Sequence, residues 1–407
     1  MRVGGWIWGL LVGLVVWGSL AEAQQNAGLP VVPPEQFAIL PWGRTPPDPA
    51  ALQELRQAGF NLAGFVPPDG LDAVAAAGLK AIVSDPSTNV GDSEAALSEP
   101  EIAQRVKALT DRVGGHPAVF GYYLRDEPGP RVFPGLARWS AAFRAAAPSA
   151  WPYINLLPNY ASDRQLGGDY EQYVERFVTT VNPPFLSYDN YPVMEDGSLR
   201  ESYFENLEVI RAAALRHNVP FWSIILSNAH YDYAEPTQAS LNLQAYAALA
   251  YGARGISYYT YFTPPVGNYR LGPIDQLGSK TPTWDLVRRL NLLLLKMAPT
   301  YIQLTSVNVF HHPKVPHGAH GLRSSPFLVD LSGGNLLAGE FVGPGGRPAV
   351  LVVNKDLRRS TSFGVRFKLA GPVWMVNGYT GRLQPWDGGN VWLAPGQGIL
   401  LLLGPIN

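Results

Sequence analysis

Short apolar runs alternate with longer segments of helical period along most of this chain. Runs at 37–42, 60–66, 79–85, 119–127, 151–157, 185–191, 221–227 and 255–262 read as strands. They are short, apolar and bounded by turn residues, as strands buried between helices are. Helical patterns fall between them at 49–58, 71–77, 100–113, 133–146, 170–179, 201–217 and 237–251, and a last one follows at 282–297. Several of these end at glycine: Gly59, Gly78, the Gly114-Gly115 pair and Gly252. Eight βα units in about 260 residues predict an α/β fold, a (β/α)₈ barrel over residues 35–300. A doubly wound open sheet is the competitor, but no Gly-rich phosphate loop follows the first strand.

From about Tyr301 the pattern changes. Alternating runs at 335–341, 349–354, 362–369, 373–376 and 398–403 are separated by Gly/Pro/Asp turns such as Gly343-Pro344-Gly345-Gly346 and Trp386-Asp387-Gly388-Gly389. They predict a small antiparallel β-sandwich over 301–407, packed against the barrel and edging its cleft. His311, His312, His317 and His320 cluster just after the last barrel helix. No carboxylates stand near them on a regular element, so exposed or interfacial loop histidines are expected rather than a metal site.

Composition changes the picture in two places. The formal net charge is −1, which gives no electrostatic reason to expect nucleic acid or an anionic membrane as partner. There are no cysteines, so disulfides, thiol catalysis and thiolate metal sites are excluded. Residues 1–23 have the form of a secretory signal peptide: Arg2, an apolar run from Trp6 to Trp17, and Ala21-Glu22-Ala23 before Gln24. A Pro-rich arm, 24–34, follows. The expectation is a secreted or periplasmic protein, free of the membrane after cleavage. Amino-terminal sequencing of exported material should begin at or near Gln24, and material still starting at Met1 would remove the reading.

Candidate chemistry gathers at predicted strand ends, where a barrel carries its active site. The fourth strand runs into Arg125-Asp126-Glu127 and stops at Pro128. Strict alternation puts Phe120, Tyr122 and Leu124 under the helices, and Val119, Gly121, Tyr123, Arg125 and Glu127 on the interior face. In the sixth strand Ser187 and Asp189 share a face, so Asp189 is expected at the same mouth as Glu127. Tyr153 and Asn155 end the fifth strand, Asp85 the third, Trp42 the first, and Tyr259 and Tyr261 the eighth. Carboxylates with aromatics and amides around one mouth suit glycoside cleavage: a proton for the leaving oxygen, a second carboxylate for the anomeric centre, and rings for stacking.

The segment His116-Pro117-Ala118-Val119-Phe120-Gly121-Tyr122-Tyr123-Leu124-Arg125-Asp126-Glu127-Pro128 resembles the fourth-strand region of (β/α)₈-barrel glycoside hydrolases, in the large retaining clan that includes β-galactosidases and cellulases. In that clan an Asn-Glu or Asp-Glu pair supplies the acid/base glutamate. Ser187-Tyr188-Asp189-Asn190-Tyr191-Pro192 and the segment from Gln244 to Ile256 are similar to the same enzymes. The clan's nucleophilic glutamate ends the seventh strand. Here that stretch is Phe221-Trp222-Ser223-Ile224-Ile225-Leu226-Ser227-Asn228-Ala229-His230, without a carboxylate, and the nearest are Asp232 and Glu235 in the next loop.

The resemblance and the residues together lead to a glycoside hydrolase without a cofactor, acting on an oligo- or polysaccharide. Glu127 is expected as general acid, with Asp189 as preferred second carboxylate and Glu235 as the fallback. Asp126, Tyr153, Asn155, Tyr191, Asn228 and Tyr259 are expected sugar contacts, and Trp42 a stacking platform. The adjacent pair also permits substrate assistance, with Asp126 orienting an acetamido group. A carbohydrate-binding barrel without turnover is the rival, and the empty seventh strand is its argument.

Overall fold

The computed structural model of the chain describes residues 32–389 and 391–404, so the signal-peptide reading and most of the Pro-rich arm lie outside the described residues. Eight parallel strands form one sheet: β1 (Ala38–Pro41), β2 (Leu62–Val66), β3 (Lys80–Val83), β4 (Val119–Asp126), β5 (Trp151–Leu156), β6 (Leu186–Asp189), β7 (Phe221–Leu226) and β8 (Gly255–Tyr259). The order runs β1-β8-β7-β6-β5-β4-β3-β2, a nearly closed barrel whose open seam lies between β1 and β2. Side chains bridge that seam. Asn61 Oδ1 accepts from the Ile39 amide at 2.8 Å, and its Nδ2 donates to the carbonyls of Val32 and Phe37, each at 2.8 Å. Thr45 Oγ1 accepts from the Gly64 amide at 3.0 Å. A Cβ on Gly64 would lie 2.1 Å from the Pro41 carbonyl oxygen, so only glycine permits this approach.

The lower barrel is filled by side chains from strands around the ring, including Leu40, Leu62, Ile82, Phe120, Phe185 and Trp222. Trp222 stacks near Phe120 with centroids 5.7 Å apart. This is a packed core, so inside the barrel the space for a ligand lies above it.

Strict alternation fails in β4. Ala81 pairs with Val119 but Ile82 with Gly121, which leaves Phe120 as an extra residue. Tyr123 pairs with Tyr153 but Arg125 with Ile154, which leaves Leu124 as another. Each bulge shifts the facing pattern. Phe120 therefore enters the barrel core instead of lying under the helices, while Tyr122 stacks on Phe143 of the helix Phe133–Ala146 at 4.5 Å. Arg125 turns outward as well, donating to the Val90 carbonyl at 2.9 Å and pairing with Asp92 at 2.9 Å.

The remaining strands are β9 (Thr305–His312), β10 (Leu328–Gly333), β11 (Leu336–Gly343), β12 (Arg347–Asn354), β13 (Thr361–Phe367), β14 (Val373–Val376), β15 (Leu383–Trp386), β16 (Trp392–Leu393) and β17 (Gly398–Leu403). They make two antiparallel sheets, β10-β13-β16 and β15-β14-β17-β12-β11-β9. The larger sheet lies against the helix Gln238–Ala250, which is buried at every position from Ser240 onward. One side of that helix covers the barrel and the other meets the sandwich, which is why its sequence carries no charged residue on any face. The histidine cluster differs from the loop expected: His311 and His312 belong to β9. His311 is fully buried at the junction, 3.0 Å from the Tyr251 hydroxyl and 2.9 Å from Lys355 Nζ.

Candidate active site

Above the packed layers, the carboxyl ends of the strands surround an open cleft of about 290 Å³. Asp126, Glu127 and Asp189 all line it. Two neighbouring residues of a regular strand would face opposite ways. Here β4 ends at Asp126, and Glu127 adopts a left-handed backbone, φ 44°, while its amide still donates to the Asn155 carbonyl at 2.8 Å. That turn brings both carboxyls to the same space. Pro128, which follows, cannot continue the ladder.

Asn155 organises the floor. Ser187 Oγ donates to Asn155 Oδ1 at 3.0 Å, so the Tyr153 hydroxyl, 2.8 Å from Ser187, is the donor in that pair. The amide is thereby oriented with Nδ2 toward the carboxylates. It donates to Asp189 Oδ1 at 2.9 Å and to Asp126 Oδ1 at 3.1 Å. One nitrogen thus holds two carboxyls from strands on either side of its own.

Burial and mutual repulsion set the protonation of the trio. Asp189 is 6% exposed, and that burial, with the charges of Glu127 and Asp126, pushes its carboxyl well above the usual range. Asp126 is raised by burial, against the opposing hydrogen bond from Asn155. Glu127 is exposed within the cleft, but the surrounding walls desolvate its carboxyl and Asp126 repels its charge, so its pKa is raised to about 7. A carboxylic acid that keeps its proton near neutrality and opens onto a cleft has the property of a general acid.

Aromatic rings form the opposite wall. Tyr191 and Tyr259 stack with centroids 5.7 Å apart, and Trp42 meets Tyr259 edge-on at 5.5 Å. Trp42 Nε1 is buried without a partner among the described residues, so it is the ring of this side chain that faces the cleft. The Arg200 guanidinium covers the Tyr160 ring at 4.0 Å. His230 is buried, which holds its pKa down to about 4 and keeps the ring neutral.

Of the residues expected from sequence, Trp42, Asp126, Glu127, Asn155, Asp189, Tyr191 and Tyr259 line one cleft. Tyr153 lies beneath it in the barrel core, reaching it only through Ser187 and Asn155. Asn228 is fully buried behind the wall, 2.9 Å from His230 Nδ1. Glu235 stands outside: it is exposed, and Arg270 Nε donates to it at 3.1 Å. Inward positions of β7 are Trp222, Ile224 and Leu226, so that strand brings no carboxylate to the mouth. Asp85 binds Ser87 and pairs with Arg112, away from the cleft. Pro158, Tyr160, Ile224, His230, Tyr231 and Tyr233 complete the lining, and none of them was expected there from the sequence. The closely spaced His230-Tyr231 and Tyr233, just past the seventh strand, were the available signal. Among the described residues no group of three or more His, Asp or Glu is placed to hold a metal ion.

No family model matches the chain, and neither does any curated protein. Solved structures do. A glycoside hydrolase family 5 protein from Bacteroides vulgatus is 13% identical, over 93% of this chain and 94% of its own, with a TM-score of 0.58. A GH42 β-galactosidase from G. stearothermophilus is 8% identical, over 90% of this chain and 98% of its own, with a TM-score of 0.57. A β-galactosidase from the psychrophilic Marinomonas ef1 is 12% identical over 67% of this chain, which spans 62% of that one, with a TM-score of 0.54. At such identities the likeness establishes a shared fold.

Proposed function

We propose that this protein is a glycoside hydrolase that cleaves O-glycosidic bonds of an oligo- or polysaccharide outside the cytoplasm, with Glu127 as general acid and Asp189 as the second carboxylate. The observation that carries the reading is the convergence of Asp126, Glu127 and Asp189 on one aromatic-walled cleft at the carboxyl end of the barrel. A binding site uses ionised carboxylates to accept from sugar hydroxyls, whereas Glu127 is held protonated up to about pH 7 at the cleft surface. Bond cleavage needs one to hold a proton and another to answer positive charge at the anomeric carbon. The likeness to family 5 and GH42 structures supports the same chemistry. Incubation with neutral oligosaccharides should release new reducing ends. A panel that is bound but never cleaved would favour the carbohydrate-binding rival.

The pH dependence follows from the cause of the shift at Glu127. Its proton is present below a pKa of about 7 and is lost as pH rises through that value. The basic limb of kcat/KM is therefore expected near pH 7, since that profile reports the free enzyme's groups. Asp126→Asn removes a neighbouring charge that raises the pKa of Glu127, so the limb should move to lower pH. A limb that stays in place in this variant would show that another group sets it.

A further inference from the structure

We propose that Tyr231 is a stacking platform for a sugar unit of the substrate beyond the scissile bond, and so a determinant of preference for longer glycans. The inference rests on the glycoside-cleaving reading of the same cleft. It starts from three facts about one residue. Tyr231 has a left-handed backbone, φ 48°, which a bulky side chain adopts only when its surroundings force it. Its side chain gains little from burial, since the residue is 70% exposed at the cleft rim. Its backbone is nevertheless clamped from both sides by one side chain: the Tyr231 amide donates to Asn268 Oδ1 at 2.7 Å, and Asn268 Nδ2 donates to the Tyr231 carbonyl at 3.0 Å.

The clamp belongs to a wider tie between the loops that follow β7 and β8. Ala229 and Arg270 exchange two backbone hydrogen bonds, each at 2.9 Å. The Arg270 side chain then reaches back to Glu235 at 3.1 Å. Inside the tie, His230 and Tyr269 stack with centroids 4.4 Å apart, and the Tyr269 hydroxyl lies 2.9 Å from that of Tyr259 in the cleft wall. A lone exposed tyrosine on a loop needs no explanation. An exposed tyrosine on a strained backbone, fixed by a dedicated two-way clamp, does need one. The clamp fixes the backbone, and edge contacts with His230 at 5.0 Å and Tyr269 at 6.3 Å between centroids position the ring itself.

The size of the cleft supplies the occupant. At about 290 Å³ it is at the small end of ligand pockets, so a longer glycan must run out over the rim. The apolar C–H face of a pyranose is the part of such a chain that a held aromatic ring can cover without desolvating hydroxyls. Asn268 thus acts as a positioning residue, through the Tyr231 backbone.

The test uses β-1,4- and β-1,3-linked gluco-, galacto- and manno-oligosaccharides from disaccharide to hexasaccharide. For the series that the wild type cleaves, the ratio of kcat/KM on the hexasaccharide to that on the disaccharide should fall about two- to tenfold in Tyr231→Ala. Tyr231→Phe keeps the ring and should restore the ratio, and Asn268→Ala should lower it by a smaller factor. An unchanged ratio in Tyr231→Ala, or an equal loss on every length, overturns the platform. If the wild type cleaves nothing, the hydrolase reading fails, and calorimetry with the same sugars judges Tyr231 by itself. Affinity that rises with chain length and loses that rise in Tyr231→Ala sustains it. A panel neither cleaved nor bound overturns both.

Discussion

Glu127→Gln is expected to reduce kcat by about 100- to 10,000-fold while leaving the fold and glycan binding in place. The substitution keeps the shape of the side chain and removes only the transferable proton. The structural work of this position is done by its backbone, through the left-handed turn and the amide donating to the Asn155 carbonyl at 2.8 Å, and glutamine preserves both. Glu127 is also open to the cleft, so the change creates no cavity and leaves no buried group without a partner. General-acid assistance matters most when the leaving group is a poor one. The loss should therefore be large for sugar leaving groups and smaller for activated aryl glycosides, which depart with less help. A loss equal on both would point to binding or folding rather than proton transfer. Near-native turnover would show that the acid lies elsewhere in the cleft.

The barrel was legible because its signal is periodic and local. Helices that stop at Gly59, Gly78 and Gly252, and apolar runs too short to be helices, leave few alternatives to eight βα units. The site was legible as far as strand ends were: Asp126, Glu127, Asn155 and Asp189 follow from where each run stops. The facing of β4 was not, because a bulge is defined by the neighbouring strands, and neither Phe120 nor Leu124 marks one in its own sequence. For the same reason the left-handed backbone at Glu127 has no residue signature, and it is what joins Asp126 and Glu127 in one space. Glu235 appeared available because its partner, Arg270, is 35 residues away and approaches only through the pairing of two loops. β9 was not foreseen, and its two histidines were expected in a loop, although Val309 and Phe310 beside them are apolar positions that the strand buries.

The second large effect concerns Asp189. Asp189→Asn is expected to lower kcat by about 100- to 10,000-fold, and the wild-type enzyme is expected to release its first sugar with inverted anomeric configuration. Glu127 and Asp189 stand at the ends of β4 and β6, with β5 between them, and strands two positions apart are separated by roughly 10 Å at the backbone. Asn155, on the intervening strand, draws Asp126 toward Asp189, while the turn at Glu127 opens that carboxyl to the cleft. That two-strand spacing favours inversion, which needs about 6.5–9.5 Å between the carboxyls for a water to enter, over a covalent intermediate, which needs about 5–5.5 Å. Burial first, and then the charge of Glu127, raise the Asp189 carboxyl, so the two groups titrate as a coupled pair. In the proposed mechanism the reactive form carries the proton on Glu127, facing the leaving oxygen, and Asp189, held by the Asn155 amide, is the base for the attacking water. NMR of the first-formed product decides the stereochemistry. A retained product from an enzyme whose Asp189→Asn variant still turns over would sink the assignment and transfer the role to Asp126. Glu235 is not the heir, because serving there would require it to leave Arg270 and carry its loop over the mouth.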